Sequence, residues 1–329
     1  MPRIAIAPMG LVLVTIVLVV ALLAGYVSGN QPKRDAVAFA EDRLGIVLES
    51  KMISVGEVSL HVVFAGPKEG APVILLHGYP EFWYAWRGPM SVLAEAGFRV
   101  IVPDQRGYND SDKPTDPDAY ALDRLAGDVI GLIDALGYDR VFLSGHDFGG
   151  LVSWWTLILH PDRIEKFVII NKPHPQAIRD HTDQGESISW YRTFLRIPWL
   201  PGYVGRLGNW GLLVGNLRAT SRPHTFPEED MNLFRSAWNN EGAINSMGAW
   251  YRANASFEMD VDLEIAVPGL FVLAPDDAFS AKEIGRSTMD YISQGELLEL
   301  AQGTHWVIQE DPQRVGEILV DFFKSRAGS

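Results

Sequence analysis

Short apolar segments separated by polar turns recur along the first half of the chain. Each is followed by glycine, proline or a cluster of polar residues, a pattern typical of buried strands. One longer segment, residues 122–136, instead carries leucine and valine at helical spacing. The predicted strands are residues 58–65, 72–76, 98–103, 141–143 and 166–170. Because strands alternate with helical segments, we predict an α/β fold with a doubly wound, mostly parallel sheet.

The pattern changes after residue 172. Residues 173–258 are rich in tryptophan and tyrosine, are interrupted by prolines, and show helical rather than strand spacing. Strand and helix patterns then return at residues 267–273, 281–292 and 297–300, and in a last helix starting at Asp311-Pro312. We therefore predict a core of residues 49–172 and 259–329, with residues 173–258 inserted as a helical cap.

The N-terminus is uncharged and apolar. No charged residue lies between Arg3 and Lys33, and residues 11–27 form an almost unbroken apolar run. As a helix this run would span ~26 Å, close to the ~30 Å hydrocarbon core of a bilayer. We predict that residues 1–30 form a single-pass membrane anchor, followed by a linker of residues 31–48. A cleaved signal peptide and export are the alternative, although such peptides usually have a shorter apolar region.

Composition narrows the classes of function. The chain has 329 residues, of which 47% are hydrophobic, so it can bury a large core. A net charge of −13 without a basic cluster argues against a nucleic-acid partner. The chain has no cysteine, which excludes disulfides, thiolate metal sites and cysteine nucleophiles.

Residues 141–150 (VFLSGHDFGG) join a predicted buried strand to a buried helix through a turn flanked by glycines. Glycine allows strand and helix to approach closely, and the central residue of such a turn projects its side chain over the sheet. The stretch resembles the nucleophile elbow of α/β-hydrolases, with Asp147 where serine usually stands. We therefore predict the α/β-hydrolase fold, with Asp147 as its nucleophile.

In α/β-hydrolases the base and its orienting acid come later in the chain than the nucleophile. His305 follows the last predicted strand, and both Asp276 and Asp277 follow the strand before it. We predict His305 as the base and Asp277 as the acid. The other position at which hydrolases place this acid holds Asn171-Lys172. Two further histidines are interpreted as structural, namely His146 and His174.

The loop at residues 77–80 (HGYP) follows a predicted central strand. It resembles the α/β-hydrolase loop that supplies a backbone N–H opposite the elbow. The resemblance implies an oxyanion hole formed by the N–H groups of Tyr79 and Phe148. A proline after an aromatic residue also makes Tyr79-Pro80 a candidate cis peptide.

A carboxylate nucleophile restricts the chemistry. It is too weak to attack a carbonyl, but it can displace a leaving group from an sp³ carbon in a water-excluded pocket. The ester on Asp147 would then be hydrolysed by water that His305 activates. Epoxides and alkyl halides are the obvious substrates. An epoxide oxygen needs an acid such as tyrosine, which the predicted cap offers in Tyr191 and Tyr251, whereas a halide needs N–H donors, which Phe148 lacks.

Four motifs together identify a family: residues 77–87 (HGYPEFWYAWR), 104–108 (DQRGY), 145–150 (GHDFGG) and 303–306 (GTHW). From about residue 50 to 324 the chain resembles α/β-hydrolase-fold epoxide hydrolases, most closely their membrane-anchored animal-type subgroup. The resemblance implies that Tyr191 and Tyr251 donate a proton to the epoxide oxygen. It also implies a small hydrophobic epoxide and water as substrates, with no metal or organic cofactor.

The chain departs from the family at two positions that are predicted to line the pocket with Trp306. Phe148 stands where tryptophan is common, and Tyr79 stands where phenylalanine is common. A haloalkane dehalogenase with the same Asp147, His305 and Asp277 is the alternative, which Phe148 disfavours. The arginines of a fluoroacetate dehalogenase are absent after the nucleophile. A non-catalytic binding protein would not need nucleophile, base, acid and both tyrosines together.

Overall fold

The computed structural model describes residues 34–182, 196–198, 200–206, 208–254 and 263–325. Within these ranges eight strands form one sheet, in the order β1-β2-β4-β3-β5-β6-β7-β8. The strands are β1 Glu49–Ser54, β2 Ser59–Ala65, β3 Pro72–Leu76, β4 Arg99–Pro103, β5 Val141–His146, β6 Ile164–Ile170, β7 Gly269–Leu273 and β8 Gly295–Glu299. β2 is antiparallel to both β1 and β4, and all other neighbours are parallel. The predicted mostly parallel sheet is confirmed.

Helices connect and cover these strands, and two pairs of them pack closely against each other. The last helix packs against the helix before β4, and the helices on either side of β5 pack against each other. The described helices are α1 Ala36–Leu44, α2 Arg87–Glu95, α3 Leu122–Ala135, α4 Phe148–Leu159, α5 Pro175–Thr182, α6 Leu200–Arg206, α7 Gly211–Ala219, α8 Glu228–Asn239, α9 Ala243–Ala253, α10 Lys282–Ser287, α11 Val307–Glu310 and α12 Pro312–Lys324.

Burial explains why some elements could be read from the sequence and one could not. All six residues of β5 are buried, as expected for a central parallel strand covered on both faces. The edge strand β1 buries only Ile53 and was not predicted, because its other residues are polar or exposed. The start of α12 is as predicted: the Asp311 side chain accepts a hydrogen bond from the Arg314 N–H, and Pro312 is the first helical residue.

The segment between β6 and β7 contains α5 to α9, and no strand occurs among its described residues. Two indole N–H groups attach it to loops at the carboxyl ends of β3 and β4. Trp238 Nε1 donates to the Pro80 carbonyl oxygen at 2.6 Å, and Trp250 Nε1 donates to the Arg106 carbonyl oxygen at 3.0 Å. The helices α8 and α9 therefore cover the edge of the sheet where the predicted site residues lie. The exact domain boundaries stay a prediction.

The predicted linker, residues 31–48, includes α1, whose N-cap is Asp35. α1 contacts the cap, because the Arg43 guanidinium lies 2.5 Å from the carboxylate of Asp230 on α8. The predicted membrane anchor, residues 1–30, lies outside the described residues. Across the part of the chain that the structure describes, no helix is both long and apolar enough to cross a membrane.

Candidate active site

The nucleophile elbow is formed by β5, Asp147 and α4. Asp147 has φ 49° and ψ −118°, a conformation that L-residues rarely adopt. Close packing enforces the turn, since a Cβ on Gly149 would overlap the Leu76 carbonyl oxygen of the neighbouring strand. The side chain of Asp147 is 18% exposed, and its Oδ1 accepts a hydrogen bond from the Tyr79 N–H at 3.0 Å. One of the two predicted oxyanion-hole donors therefore already contacts the carboxylate.

Phe148, the other predicted donor, is the first residue of α4. N–H groups in the first turn of a helix have no partner within the helix, so this N–H is available to an oxygen above the elbow. The Tyr79-Pro80 peptide is cis, as predicted.

His305 lies between two carboxylates. Its Nδ1 is 3.0 and 3.1 Å from the two oxygens of Asp277, and its Nε2 is 3.7 Å from Asp147 Oδ2. A carboxylate can only accept hydrogen bonds, so Nδ1 carries the proton and donates a hydrogen bond to Asp277. Nε2 is left facing the nucleophile. Of the two candidate acids, Asp277 contacts the histidine, whereas Asp276 is exposed.

The charges of Asp147 and His305 shift each other's pKa. Burial alone would raise the pKa of the Asp147 carboxyl, but Lys172, His305, His146 and the Tyr79 N–H oppose it and hold the pKa below its ordinary value. Burial alone would lower the pKa of His305, but the charge and hydrogen bond of Asp277, followed by the charge of Asp147, hold it above its ordinary value. The resting site therefore favours an ionised nucleophile and strengthens the affinity of the histidine for a proton.

A buried polar chain supports His305 from behind, and the sequence did not reveal it. His146 Nε2 donates to the His305 carbonyl oxygen at 2.7 Å, and its Nδ1 is 3.3 Å from the fully buried carboxylate of Glu81. Gln309 Nε2 donates to the other Glu81 oxygen at 2.5 Å. This agrees with the structural interpretation of His146. The one available signal was the position of Glu81, directly after the HGYP motif.

Asp277 is also held by an unpredicted aromatic residue, Phe279. Its N–H donates to Asp277 Oδ1 at 2.7 Å, and its ring lies edge-on to His305 with 4.7 Å between centroids. His174, the other histidine interpreted as structural, is fully buried, and its Nδ1 accepts from the Gln176 N–H at 3.2 Å. Burial lowers the pKa of His174 to about 4, so it is neutral at physiological pH.

The loop after β6 approaches the site with an amide and a cation. Asn171 Nδ2 donates to the carbonyl oxygens of Thr304 and His305, each at 3.1 Å. Lys172 Nζ lies 3.9 Å from Asp147 Oδ2. The sequence indicated only that these two residues occupy a position where an acid was possible.

Aromatic side chains line the space above Asp147. The Tyr251 ring packs edge-on against Phe148 at 4.8 Å and against Tyr79 at 5.6 Å. Trp306 is buried beside His305 with 4.9 Å between ring centroids, and its Nε1 donates to Thr220 Oγ1 at 2.9 Å. Four of the predicted residues therefore lie next to the nucleophile and base, namely Tyr79, Phe148, Tyr251 and Trp306. Tyr191 lies outside the described residues.

Among the described residues, no group of three or more histidine, aspartate or glutamate side chains is arranged to hold a metal ion.

Comparison with known proteins agrees with this geometry. The profile of the alpha/beta hydrolase fold family matches residues 71–311, so the chain belongs to the α/β-hydrolase fold family. It is 33% identical over 285 residues to the AB hydrolase superfamily protein YfhM of Bacillus subtilis, covering 85% of this chain and 99% of that protein.

Epoxide hydrolases are prominent among its relatives. Epoxide hydrolase 1 of Caenorhabditis elegans is 30% identical over 283 residues, covering 83% of this chain and 70% of that protein. The crystal structure of epoxide hydrolase VrEH1 from Vigna radiata superposes with a TM-score of 0.74 at 25% identity, covering 84% of this chain and 98% of the other. The predicted membership of the epoxide hydrolase family of hydrolases is confirmed.

Proposed function

We propose that this protein hydrolyses epoxides to vicinal diols through a covalent ester on Asp147. The observation that carries the proposal is the position of the Asp147 carboxylate, with Oδ1 on the Tyr79 N–H and Oδ2 facing His305 Nε2 at 3.7 Å. A carboxylate at the position where α/β-hydrolases carry serine, with an imidazole beside it, supports the roles of nucleophile and base for Asp147 and His305. Several relatives named epoxide hydrolases support the choice of substrate class.

In the first half-reaction Asp147 Oδ2 attacks a ring carbon and the bond from that carbon to the epoxide oxygen breaks. Oδ2 is the attacking atom because Oδ1 is already occupied by the Tyr79 N–H. The ring oxygen takes the electron pair and needs a proton, which Tyr251 and Tyr191 supply. Tyr251 suits this role because its ring packs directly on Phe148, the residue after the nucleophile.

In the second half-reaction water attacks Cγ of the ester while His305 Nε2 takes its proton. Asp277 stabilises the resulting imidazolium through Nδ1. The former Oδ1 becomes the oxyanion, which the N–H groups of Tyr79 and Phe148 stabilise. The bond from Cγ to Oδ2 then breaks, and the imidazolium of His305 gives its proton to the departing oxygen. The second proton of the water returns to the tyrosine that was deprotonated in the first half-reaction. The diol therefore leaves with an oxygen from the enzyme, and Asp147 retains one from water.

The ester is tested with the His305→Gln variant, in which Asp147 should be alkylated by the epoxide but the ester should not be hydrolysed. One equivalent of epoxide should be consumed, intact mass should rise by the mass of the substrate, and peptide mapping should place the adduct on Asp147. In a single turnover of wild type in H₂¹⁸O, the label should enter Asp147 and not the diol. Label in the diol on the first turnover would mean that water attacks the epoxide directly and would refute the covalent mechanism.

The proton donors are tested by Tyr251→Phe and Tyr191→Phe. Removing a donor aimed at developing charge typically costs about 10²–10³ in rate, so each change should slow ring opening and the pair should nearly abolish it. Alkylation is followed by stopped flow in the His305→Gln background, which isolates this step. An undiminished rate in the double variant would place the acid elsewhere.

The haloalkane alternative is tested with the same enzyme preparation. Phe148 offers no side-chain N–H to a departing halide, so chloro- and bromoalkanes should not be turned over under conditions in which an epoxide is. Halide release at a rate comparable with epoxide hydrolysis would overturn the assignment.

We also propose that residues 1–30 anchor the protein in a membrane by a single helix. The support is the uncharged stretch between Arg3 and Lys33, with an apolar run of nearly bilayer length. Deleting residues 1–30 should leave active enzyme in the supernatant after ultracentrifugation. Extraction of the full-length protein from membranes by carbonate alone would refute the anchor, and N-terminal sequencing that starts after residue 27 would favour the cleaved signal peptide.

A further inference from the structure

Lys172 brings a positive charge to the nucleophile. Its Nζ lies 3.9 Å from Asp147 Oδ2, the same oxygen that His305 Nε2 approaches at 3.7 Å. The side chain of Lys172 is only 15% exposed, so solvent screens the charge weakly. The ammonium also lies 5.5 Å from the centre of the Phe148 ring, on the wall of the predicted pocket. A cation, a carboxylate and an imidazole are thus clustered around one oxygen atom.

Local packing fixes the lysine in this place. Trp154 Nε1 donates to the Lys172 carbonyl oxygen at 2.9 Å and holds the backbone. The aliphatic stem runs over Gly150 in the first turn of α4, where an added Cβ would lie 2.6 Å from Lys172 Cβ. Asn171, the preceding residue, accepts a hydrogen bond from the Ala274 N–H at 2.8 Å. These contacts hold the backbone and the first carbons of the Lys172 side chain beside the elbow.

The proposed reaction changes the charge that Lys172 faces. In the resting site the ammonium is balanced by the Asp147 carboxylate. When Asp147 becomes an ester, its negative charge passes with the electron pair to the ring oxygen and, after proton transfer, to the cap tyrosine that donated the proton, while the ammonium remains beside the ester. Among the described residues, the charges of Asp277 and Glu81 also act on His305, and the His146 ring lies beside it; none of these three groups is altered in this step. The ester intermediate therefore leaves a cation near His305 that the nucleophile no longer balances.

Resting on the proposed function, we propose that Lys172 is a positioning residue that acts on both half-reactions through its charge. It holds Asp147 ionised for the attack, and in the ester it keeps His305 neutral, the form that can take a proton from water. One charge would thus favour the anion of the nucleophile first and the free base afterwards. Because both groups approach the same oxygen, the ammonium and the imidazole are at most about 8 Å apart, a distance at which charges still interact in a buried site.

The charge effect on His305 is tested without substrate. The Asp147→Asn variant has a side chain of the same shape as aspartate but without its charge, as in the ester. NMR with labelled histidine follows the titration of His305. The pKa of His305 should fall on Asp147→Asn, because a carboxylate that raises it is lost. Adding Lys172→Met should raise it again, by on the order of one pH unit. Adding Lys172→Arg, which keeps the charge, should leave it low.

The catalytic effect is tested by the pH profiles of the two half-reactions in Lys172→Met and Lys172→Arg. In Lys172→Met the acidic limbs of both alkylation and ester hydrolysis should move to higher pH by about one unit, and both rates should recover at high pH. Lys172→Arg should keep the wild-type limbs. A purely structural role would lower the rates equally at all pH values, and thermal melting of both variants shows whether the fold is retained.

The outcomes separate the two proposals. If His305 titrates at the same pH with lysine and with methionine at position 172 in the Asp147→Asn background, the role of Lys172 is refuted whatever the enzyme turns over. If arginine shifts the titration as much as methionine does, the effect is not one of charge and the role is again refuted. If the His305→Gln variant forms no ester with any epoxide, the proposed function fails, while the substrate-free titration still measures the interaction.

Discussion

The loops after β6 and β7 leave neighbouring parallel strands at the same edge of the sheet, yet they support the site differently. The loop after β7 contributes a carboxylate, Asp277, to the imidazole of His305. The loop after β6 contributes a neutral amide, Asn171, to two backbone carbonyl oxygens, and a cation, Lys172, to the nucleophile. The loop after β7 thus acts on the imidazole of His305 by charge. The loop after β6 holds the backbone of the base loop and brings a positive charge to Asp147.

The difference shows what the amide after β6 does in this protein, in which the acid follows β7. Asn171 Nδ2 donates to both Thr304 and His305, and its Oδ1 accepts from the Ala274 N–H in the other loop. An amide satisfies donors and acceptors together, which a carboxylate cannot do. The loop after β6 therefore connects the base loop to the acid loop, and this connection depends on the residue not being an acid.

The largest effect on the rate is expected from Asp277→Asn, which removes the carboxylate that the loop after β7 contributes to His305. Only the oxygen of the asparagine amide can accept a hydrogen bond from His305 Nδ1. The neutral amide also lacks the negative charge that stabilises the imidazolium. In a comparable triad this change costs about 10⁴ in kcat, so we expect a loss of roughly 10³–10⁴. Ester hydrolysis should carry the loss, while alkylation of Asp147 should change little. Single-turnover kinetics with mass spectrometry of the ester measure both steps.

Asp276→Asn is the matched control, because Asp276 is the exposed neighbour in the same loop. It makes the same change of charge one residue away and should leave both half-reactions within about twofold, as is usual for surface substitutions. Equal losses in the two variants would mean that the net charge of the loop matters and the contact with His305 does not.

A smaller effect is expected from trying to move the acid with Asn171→Asp in the Asp277→Asn background. The new carboxylate would face the carbonyl oxygens of Thr304 and His305, two acceptors that it cannot satisfy. We expect no recovery of activity and a further loss of roughly 2–3 kcal/mol in the free energy of unfolding, measured by urea denaturation.

Asn171→Gly in the same background is the control for this variant. Residue 171 has φ 52°, a conformation that glycine adopts without strain, so this change removes the hydrogen bonds without adding a charge. It should be less destabilising than Asn171→Asp. A tenfold or greater recovery of activity in the aspartate variant would show that the two acid positions are interchangeable in this protein.

The sequence predicted the parts of the site that depend on local pattern. The strand-turn-helix at Asp147, and the positions of His305 and Asp277 after successive strands, follow from periodicity and chain order. The central strands were also predictable, because they are buried on both faces and therefore apolar throughout. The edge strand β1 was not, since exposure to solvent leaves it polar.

The contacts that tune the charges could not be predicted, because they join residues far apart in the chain. Glu81 lies 65 residues from His146, and Gln309 lies 228 residues from Glu81. Lys172 is 25 residues after Asp147, and no spacing rule connects them. Their importance arises only when neighbouring strands bring their loops together. The sequence indicates which residues could react, whereas the tertiary packing determines the electrostatic environment of each.

The smallest effect is expected in the pH dependence of stability, where the two loops should control opposite limbs. Asp147 has a lowered pKa in the folded protein, so its contribution to stability is present above its unfolded pKa of about 3.9 and is lost as pH falls through the folded value. His305 has a raised pKa, so its contribution is fully present below its unfolded pKa of about 6.5 and is lost as pH rises through the folded value.

Lys172→Met should therefore weaken the acid limb, because the charge that most lowers the pKa of Asp147 is removed. The difference in unfolding free energy from wild type should grow as pH rises from about 3 to 5, by on the order of 1 kcal/mol, and then stay level to about pH 6.

Asp277→Asn should instead give a difference that is largest below about pH 6 and shrinks as pH rises towards 9, because the main group that raises the pKa of His305 is lost. Any offset from changed packing is independent of pH, so the slope of each difference isolates the charge. Urea unfolding at a series of pH values gives both slopes. If Asp277→Asn altered the acid limb as much as Lys172→Met does, Lys172 and Asp277 would be acting on one shared titration, and the division of work between the loops after β6 and β7 would be wrong.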